Sequence, residues 1–284
     1  MVGATIRSGA YFHPMILVNG AVSSSLAVTD RGLAYGDGVF RTLMMQGGRP
    51  HAWGRHFRKL EHDCGALAIP CPTKAQMTHE LTLLAAQEPD CAVKIVITRG
   101  PGQRGYASPA SAEPTRVVMS FPLPQYPEAL AQSGINARLC SLRLGFQPAL
   151  AGIKHLNRLE NVLARAEWDD PGIAEGLLLD SEGNAIGGTM TNLFIVENGA
   201  LATPDLTRCG VAGVTRERIF AHAAAHGIVC RVEPIAFERV LQAEEAFVVN
   251  SLIGVWQIRT LARKAWMPGL LTGRVGQWLD EESD

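Results

Sequence analysis

The chain has 284 residues, of which 47% are hydrophobic and 19% are charged, the balance of a globular protein with ample material for a core. Its formal net charge of −1 provides no strong field for attracting nucleic acid or an anionic membrane. No apolar run reaches the roughly 18 residues of a membrane span, and residues 1–14 lack the features of a signal peptide. We therefore expect a cytoplasmic protein of one or two domains, with an irregular N-terminal extension.

The cysteines indicate neither a metal site nor a disulfide framework. The six of them form no CxxC pair, and only the weak pairing of Cys64 with His62 approaches a zinc-ligand spacing. Reduced and mostly buried thiols are therefore the expected state.

The first half of the chain predicts a mixed α+β unit. A strand at 15–20 ends in an Asn-Gly turn, and the glycine-rich loop 99–106 lies between two later strands. Apolar residues at helical spacing predict two helices between the early and late strands. The predicted elements are strands at 15–20, 21–28, 39–46, 92–98 and 116–121 and helices at 56–68 and 74–87.

The second half predicts a β-rich unit after a proline-rich connection at 121–127. Strands outnumber helices there and the connections are short. The predicted elements are strands at 135–144, 176–180, 192–197, 229–235 and 245–250 and helices at 157–168 and 214–225. The resulting division is a small N-terminal α+β domain over 15–122, an interdomain linker over 123–136 and a larger C-terminal domain over 137–284.

Lys154 lies in a short apolar, glycine-containing approach to a segment of helical period. Partial desolvation in such a place lowers the pKa of a lysine and frees its amine to act as a nucleophile. That is the requirement for a Schiff-base lysine. Taken locally, an ordinary solvated surface lysine remains the alternative.

Two glycine-bearing segments and one strand start could bind a ligand. The turn at 210–213 opens a helix, so the N–H groups of Val214 and Thr215 could seat a phosphate, although a plain turn has the same composition. The loop at 30–40 could be a simple long turn. Thr191 and Asn192, at the start of a strand, could orient a ligand or close a turn.

Together these segments resemble the fold-type IV pyridoxal-phosphate enzymes, the family of branched-chain and D-amino-acid aminotransferases. The matching segments are the loop 30–40, Lys154 with Asn157, residues 191–194 and residues 210–216. Two longer runs resemble the aminodeoxychorismate lyase branch of that family. They are Arg-Gly-Pro-Gly-Gln-Arg-Gly-Tyr at 99–106 and Lys-His-Leu-Asn-Arg-Leu-Glu at 154–160.

The resemblance implies an α+β fold with a small α/β-sandwich-like N-terminal domain and a larger β-barrel-like C-terminal domain that carries the cofactor lysine. It implies a homodimer, no metal, and a small-molecule substrate, 4-amino-4-deoxychorismate, cleaved to 4-aminobenzoate and pyruvate for folate synthesis. Lys154 would be the Schiff base and proton carrier. The implied cofactor-binding residues are Lys154, Lys59, Val214, Thr215, Asn192 and Ser251. The implied substrate-binding residues are Arg104, Arg99, Tyr35 and Tyr106.

Three positions depart from the family pattern. Gly187 stands where the family has a glutamate for the pyridine nitrogen, and Glu182 lies too far back to replace it. Lys59 stands where the family has a phosphate-binding arginine, and it lacks the bidentate fork of arginine. Arg41 stands where many relatives have a glutamate, and it is either a second ligand for a substrate carboxylate or a solvated strand arginine.

The departures at Gly187 and Lys59 affect the candidate reactions unequally. A transaminase depends heavily on the pyridinium partner, whereas a lyase whose product becomes aromatic depends on it less. Lyase activity is therefore the favoured hypothesis. An aminotransferase of the D-amino-acid or branched-chain type and a degenerate homologue with weak or no cofactor binding are the alternatives.

Overall fold

The computed structural model describes residues 14–281 and divides them into two compact units. The N-terminal unit comprises residues 14–124 and 153–157, and the C-terminal unit comprises residues 125–152 and 158–281. All but the last residue of the expected N-terminal extension lies outside the described residues. The segment that carries Lys154 thus belongs by its contacts to the N-terminal unit.

The described part of the N-terminal unit contains an antiparallel sheet of six strands in the order β2-β1-β6-β5-β3-β4. Its elements are β1 (Ile16–Val18), β2 (Ala21–Val22), α1 (Arg31–Tyr35), β3 (Gly38–Gln46), β4 (Arg49–Pro50), α2 (Trp53–Ala66), α3 (Lys74–Ala85), β5 (Cys91–Thr98) and β6 (Thr115–Phe121). Apolar residues of α2 and α3 share one core cluster with inward-facing residues of β3 and β5, so the two helices cover one face of the sheet.

Local sequence explains how α1 and α3 begin. Thr73 and Gln76 form a reciprocal capping box, in which each side chain accepts from the backbone N–H of the other residue, at 3.2 Å and 2.9 Å. Asp30 caps α1 by accepting from Gly32 N at 2.8 Å, and Gly36 ends that helix with a φ of +64°. The predicted loop 30–40 therefore contains a short helix and the start of β3.

The described part of the C-terminal unit is built around strands that close on themselves. Its elements are α4 (Glu128–Ser133), β7 (Ile135–Leu144), α5 (Leu159–Arg165), β8 (Glu175–Asp180), β9 (Ala185–Gly188), β10 (Asn192–Glu197), β11 (Ala200–Pro204), α6 (Val214–Ala225), β12 (Cys230–Glu233), α7 (Phe237–Gln242), β13 (Glu245–Asn250), β14 (Gly254–Leu261), β15 (Lys264–Ala265) and α8 (Leu270–Glu281). The pairings run β10-β13-β14-β7-β8-β9 and return from β9 to β10, which makes a six-stranded barrel of these described strands.

Alternation along β10 separates the interior of the barrel from its outer layer. Leu193 and Ile195 belong to the cluster that fills the barrel, whereas Phe194 and Val196 pack with residues of α6 and α8. Asn192 has the same parity as Phe194 and Val196, so its side chain lies on the face covered by α6.

The predicted α+β class, with a barrel-like larger unit, is confirmed. The predicted strands at 135–144, 192–197 and 245–250 and the helix at 214–225 match the structure in both bounds. The return strand predicted over 21–28 is wrong beyond residue 22, because only Ala21–Val22 pairs with β1. The linker range 123–136 contains α4, and the domain boundaries assigned from the sequence stay a prediction.

Candidate active site

The backbone of Lys154 is fixed by two partners within the N-terminal unit. Phe40 N donates to Lys154 O at 2.9 Å and Leu156 N donates to Gly38 O at 3.0 Å, so residues 154–156 pair with the start of β3 along the edge that β5 leaves open. In addition, Lys154 N donates to Asp63 Oδ2 at 3.0 Å. The half-buried side chain places its Nζ 4.5 Å from the centroid of the Phe40 ring.

Lys59 is half-buried on α2 in the same unit, whereas the neighbouring Arg58 is exposed. The two exposures differ because successive residues of a helix point in directions about 100° apart. The carbonyl of Lys59 accepts from Arg41 Nη2 at 3.2 Å. Its predicted role at a cofactor phosphate stays a prediction.

The structure contradicts both roles that the sequence left open for Arg41, a ligand for a substrate carboxylate and a solvated strand arginine. Its side chain is only 2% exposed, and it forms an ion pair with the fully buried carboxylate of Asp63. It is therefore neither a solvated strand arginine nor a residue that presents its charge to a substrate carboxylate. The sequence lacked a signal for this pair, because the two residues are 22 positions apart on different elements.

The loop that carries Arg104 is anchored to α1 by its backbone. The guanidinium of Arg31 donates to the carbonyls of Gly105, Tyr106 and Ala107 at 2.9, 3.2 and 3.3 Å. Tyr35 Oη accepts from Gly105 N at 2.9 Å, and the rings of Tyr35 and Tyr106 lie 5.6 Å apart. The two tyrosines assigned to the substrate side are thus in contact.

Arg104 itself is exposed on this anchored loop. Its cationic group is therefore open to solvent while the loop backbone is held in place, an arrangement that suits binding of an anionic ligand. The predicted contact of Arg104 with a substrate carboxylate stays a prediction.

Arg99 is occupied by structural contacts. It is buried and donates from Nε to Asp37 Oδ2 at 2.8 Å, from Nη1 to Ala68 O at 2.8 Å and from Nη2 to Leu67 O at 2.7 Å. Burial works to raise the pKa of Asp37, but the hydrogen bonds and charges of Arg99 and Arg31 outweigh it and hold that pKa below its ordinary value. Arg99 therefore links two loops, and its predicted substrate contact has no support in these hydrogen bonds.

In the C-terminal unit, Gly213, Val214 and Thr215 at the start of α6 form a candidate anion-binding site, the anion seat. The N-cap of α6, Gly213, has no side chain to cap the helix, and the first helical residues are Val214 and Thr215. The hydroxyl Oγ1 of Thr215 is buried and has no hydrogen-bond partner among the described residues. Free N–H groups, the helix dipole and an orphaned hydroxyl in the first turn together suit a phosphate.

Asn192 shapes this seat from the neighbouring strand. Its Nδ2 donates to Val211 O at 2.7 Å, and its Oδ1 accepts from Gly213 N at 3.0 Å. The side chain is largely buried and holds both ends of the turn that precedes α6. Asn192 therefore positions the backbone of the anion seat, while its predicted direct contact with a cofactor stays a prediction.

Ser251 lies in the turn after β13 and is half-buried. The preceding Asn250 organises that turn, because its Oδ1 accepts from Leu252 N at 2.8 Å and from Ile253 N at 2.9 Å. The expected contact of Ser251 with a phosphate stays a prediction.

The backbone around Gly187 leaves no room for a side chain without a local shift. A Cβ on Gly187 would meet Thr191 O at 2.7 Å. Glu182 lies at the surface and pairs with Arg208 at 2.8 Å, so it does not replace the family glutamate.

The nearest buried carboxylate, Glu175 on β8, is committed to the turn after β9. It accepts from Thr189 N at 3.0 Å, from Thr189 Oγ1 at 2.6 Å, from Met190 N at 3.3 Å and from Thr191 Oγ1 at 2.9 Å. With a fifth hydrogen bond from Gly176 N at 2.8 Å, these donors make Glu175 a support of the turn. It has no lone pair left over for the role of the family glutamate.

All six cysteines are free thiols, and Cys71 and Cys230 are the two that are half-buried. Burial raises the pKa of Cys230 to about 11 and that of Cys140 to about 12. A hydrogen bond from Cys64 lowers the pKa of Cys71. Within residues 14–281, no cluster of three or more His, Cys, Asp or Glu residues could hold a metal, and no helix could cross a membrane.

The comparisons with known proteins agree with the resemblance seen in the motifs. The sequence model of the amino-transferase class IV family matches residues 38–261. The crystal structure of 4-amino-4-deoxychorismate lyase from Pseudomonas aeruginosa is 44% identical in sequence, and the match covers 94% of this chain and 98% of that one with a TM-score of 0.91.

Two curated relatives carry names of different activities. Aminodeoxychorismate lyase from Vibrio harveyi is 34% identical over 85% of this chain and 89% of its own length. A putative branched-chain-amino-acid aminotransferase from Methanocaldococcus jannaschii is 32% identical over 80% of each chain. Members of this family use pyridoxal phosphate. By these matches the chain belongs to the class IV amino-transferase family.

Proposed function

We propose that the chain is a pyridoxal-phosphate-dependent carbon–oxygen lyase that converts 4-amino-4-deoxychorismate to 4-aminobenzoate and pyruvate. The observation that carries this proposal is the 44% identity to a 4-amino-4-deoxychorismate lyase over 94% of this chain. The Arg-Gly-Pro-Gly-Gln-Arg-Gly-Tyr run at 99–106 and the Lys-His-Leu-Asn-Arg-Leu-Glu run at 154–160 support the same branch of the family.

The residues present fit the cofactor in each unit taken by itself. The start of α6 offers unused N–H groups and the orphaned hydroxyl of Thr215, which suit the phosphate. Lys154 offers an amine on a backbone fixed by Phe40 and Asp63, and Lys59 offers a second cation on α2. The proposal assigns Val214, Thr215 and Lys59 to the phosphate and Lys154 to the covalent link.

In the proposed reaction, pyridoxal phosphate supplies an electron-withdrawing ring that accepts the electron pair of a bond broken beside the substrate amine. Lys154 Nζ removes the proton from the substrate ring carbon that bears the nitrogen. It then returns a proton to the enolpyruvyl oxygen as the bond between that oxygen and the substrate ring breaks. The released enolpyruvate tautomerises to pyruvate, and the ring that remains is aromatic. Arg104 binds a substrate carboxylate from its anchored loop, with Tyr35 and Tyr106 beside it.

The environment of Gly187 favours the lyase over the alternative aminotransferase. A transaminase must stabilise a carbanion and reprotonate it, and a carboxylate at the pyridine nitrogen assists that step. Here Gly187 supplies no carboxylate and Glu175 is committed to its own turn. Aromatisation drives the lyase reaction forward and lessens the demand on that partner. Aminotransferase activity is kept as the second candidate, because a putative aminotransferase is 32% identical over 80% of the chain.

Trapping the cofactor on the protein tests the first requirement of this proposal. The purified protein is mixed with pyridoxal phosphate, its visible spectrum is recorded, and the adduct is reduced with borohydride and located by peptide mass mapping. We expect a yellow protein with the label on Lys154, and no label at that site in Lys154→Ala. Lys94→Ala is the matched control, because Lys94 Nζ also lies over the Phe40 ring, at 5.1 Å. A colourless protein without an adduct would exclude both enzymatic functions.

Product analysis then separates the lyase from the aminotransferase. The lyase releases pyruvate and 4-aminobenzoate from 4-amino-4-deoxychorismate without any amino acceptor. Turnover that requires a 2-oxo acid, with no pyruvate formed in its absence, would refute the lyase proposal and support the aminotransferase. We further propose a cytoplasmic homodimer, and sedimentation analysis of the purified protein tests the dimer.

A further inference from the structure

Arg41 occupies a position in β3 that faces the core according to the alternation of buried residues along the strand. Val39, Leu43 and Met45 have the same parity and are fully buried, and Arg41 is buried among them. An arginine in such a row is unfavourable unless a partner neutralises its charge.

The partner is Asp63, which lies in the buried stripe of α2. Phe57, Leu60 and Cys64 share that stripe and pack in the core beneath the sheet. Asp63 is fully buried, and its Oδ2 pairs with Arg41 Nη2. Two charges have thus been placed at facing core positions, where two apolar residues would be expected to pack at least as well.

The pair is bound to the backbone of the two lysines on which the proposed function depends. Asp63 Oδ2 accepts from Lys154 N at 3.0 Å, and Arg41 Nη2 donates to Lys59 O at 3.2 Å. The hydrogen bonds to β3 use Lys154 O and Leu156 N, whereas the N–H of Lys154 donates to Asp63. Asp63 therefore fixes a backbone group of the lysine segment that the strand pairing does not use.

We propose that the buried Arg41–Asp63 pair is a positioning device that holds the backbones of Lys154 and Lys59 in fixed relation to each other. The purpose given to this ion pair rests on the proposed function, because that function assigns both lysines to the cofactor. Neither residue of the pair contacts the reacting atoms in this account. The stabilisation of two backbone sites by one ion pair is what explains the retention of two charges in the core.

A double variant removes the pair without leaving an orphaned charge. Arg41→Leu/Asp63→Ala replaces both charges, a change that buried ion pairs often tolerate without loss of stability. Arg41→Leu/Asp63→Asn also removes the ion pair, but it keeps an oxygen that can accept from Lys154 N. The matched control is Arg116→Leu/Glu80→Ala, because that pair is also in the N-terminal unit, with Nε and Oε1 2.8 Å apart, and contacts neither lysine.

Hydrogen exchange of the Lys154 amide in cofactor-free protein reads the proposed contact directly. We expect exchange at this amide to be about tenfold faster or more in Arg41→Leu/Asp63→Ala than in the native protein. We expect protection to return in Arg41→Leu/Asp63→Asn and to stay native in the Arg116→Leu/Glu80→Ala control. Unchanged exchange at Lys154 in Arg41→Leu/Asp63→Ala, or equally fast exchange in the control, would overturn the proposal.

A second readout uses the cofactor. Borohydride-trapped label on Lys154, measured at a limiting concentration of pyridoxal phosphate, should fall several-fold in Arg41→Leu/Asp63→Ala and recover in Arg41→Leu/Asp63→Asn. Normal labelling in the first of these variants would overturn the proposed purpose. If native protein fails to bind the cofactor, the proposed function fails, while the exchange experiment still decides whether the pair positions Lys154.

Discussion

Truncation of Asn192 to alanine should destabilise the C-terminal unit and weaken its anion seat together. The side chain makes two hydrogen bonds to the turn before α6, one from Nδ2 to Val211 O at 2.7 Å and one from Gly213 N to Oδ1 at 3.0 Å. The truncation leaves the carbonyl of Val211 and the N–H of Gly213, both in half-buried residues, without these partners. Each of these hydrogen bonds contributes about 0.5–1.5 kcal/mol net, so we expect a loss of about 1–3 kcal/mol in the free energy of unfolding.

The assay is urea unfolding followed by tryptophan fluorescence, since four of the tryptophans, Trp168, Trp256, Trp266 and Trp278, report on the C-terminal unit. The matched control is Asn136→Ala. Asn136 also makes two hydrogen bonds, to Gly172 O at 3.2 Å and from Thr260 Oγ1 at 2.7 Å, but it is exposed. Water replaces those bonds, so the control should lose less than about 1 kcal/mol.

Binding of pyridoxal phosphate by Asn192→Ala completes this test. A loosened turn no longer holds the first N–H groups of α6 in position, so the affinity for pyridoxal phosphate should fall by about tenfold, or about 1.4 kcal/mol. The reasoning would be refuted if Asn192→Ala unfolded at the same urea concentration as Asn136→Ala and bound the cofactor with native affinity.

Three further outcomes are expected. Gly187→Ala should lower the free energy of unfolding by about 1–3 kcal/mol, because its Cβ would meet Thr191 O at 2.7 Å; native stability in urea would contradict this. The depressed pKa of Asp37 stabilises the protein above the ordinary pKa of 3.8 and stops doing so as the pH falls through the lowered value. Asp37→Asn should therefore show a shallower loss of stability below about pH 4 in acid unfolding, and an unchanged slope would refute the argument. Cys71 should be the thiol that iodoacetamide labels first at neutral pH, because the hydrogen bond from Cys64 lowers its pKa; earlier labelling of another cysteine, located by peptide mapping, would count against it.

Periodicity and turn chemistry in the sequence were sufficient for the elements that carry the site. The helix at 214–225 and the strand at 192–197 were predicted with the bounds observed, because local glycine and apolar patterns determine where such elements begin and end. The same patterns identified Lys154 and the turn before α6 as candidates. Motif resemblance then identified the family, which the comparisons confirm.

Only the tertiary structure decided which partners the charged side chains have. Arg41 was predicted to be either a substrate ligand or a solvated residue, and it is instead paired in the core with Asp63, 22 residues away. Arg99 was predicted to bind substrate, and its donors are used by Asp37 and two carbonyls. Ion pairing depends on how elements distant in sequence pack together, and no local pattern encodes that packing. The sequence thus determined the elements that carry the candidate site and nominated its residues, while the packing of α2 against β3 determined which side chain holds the backbone of Lys154.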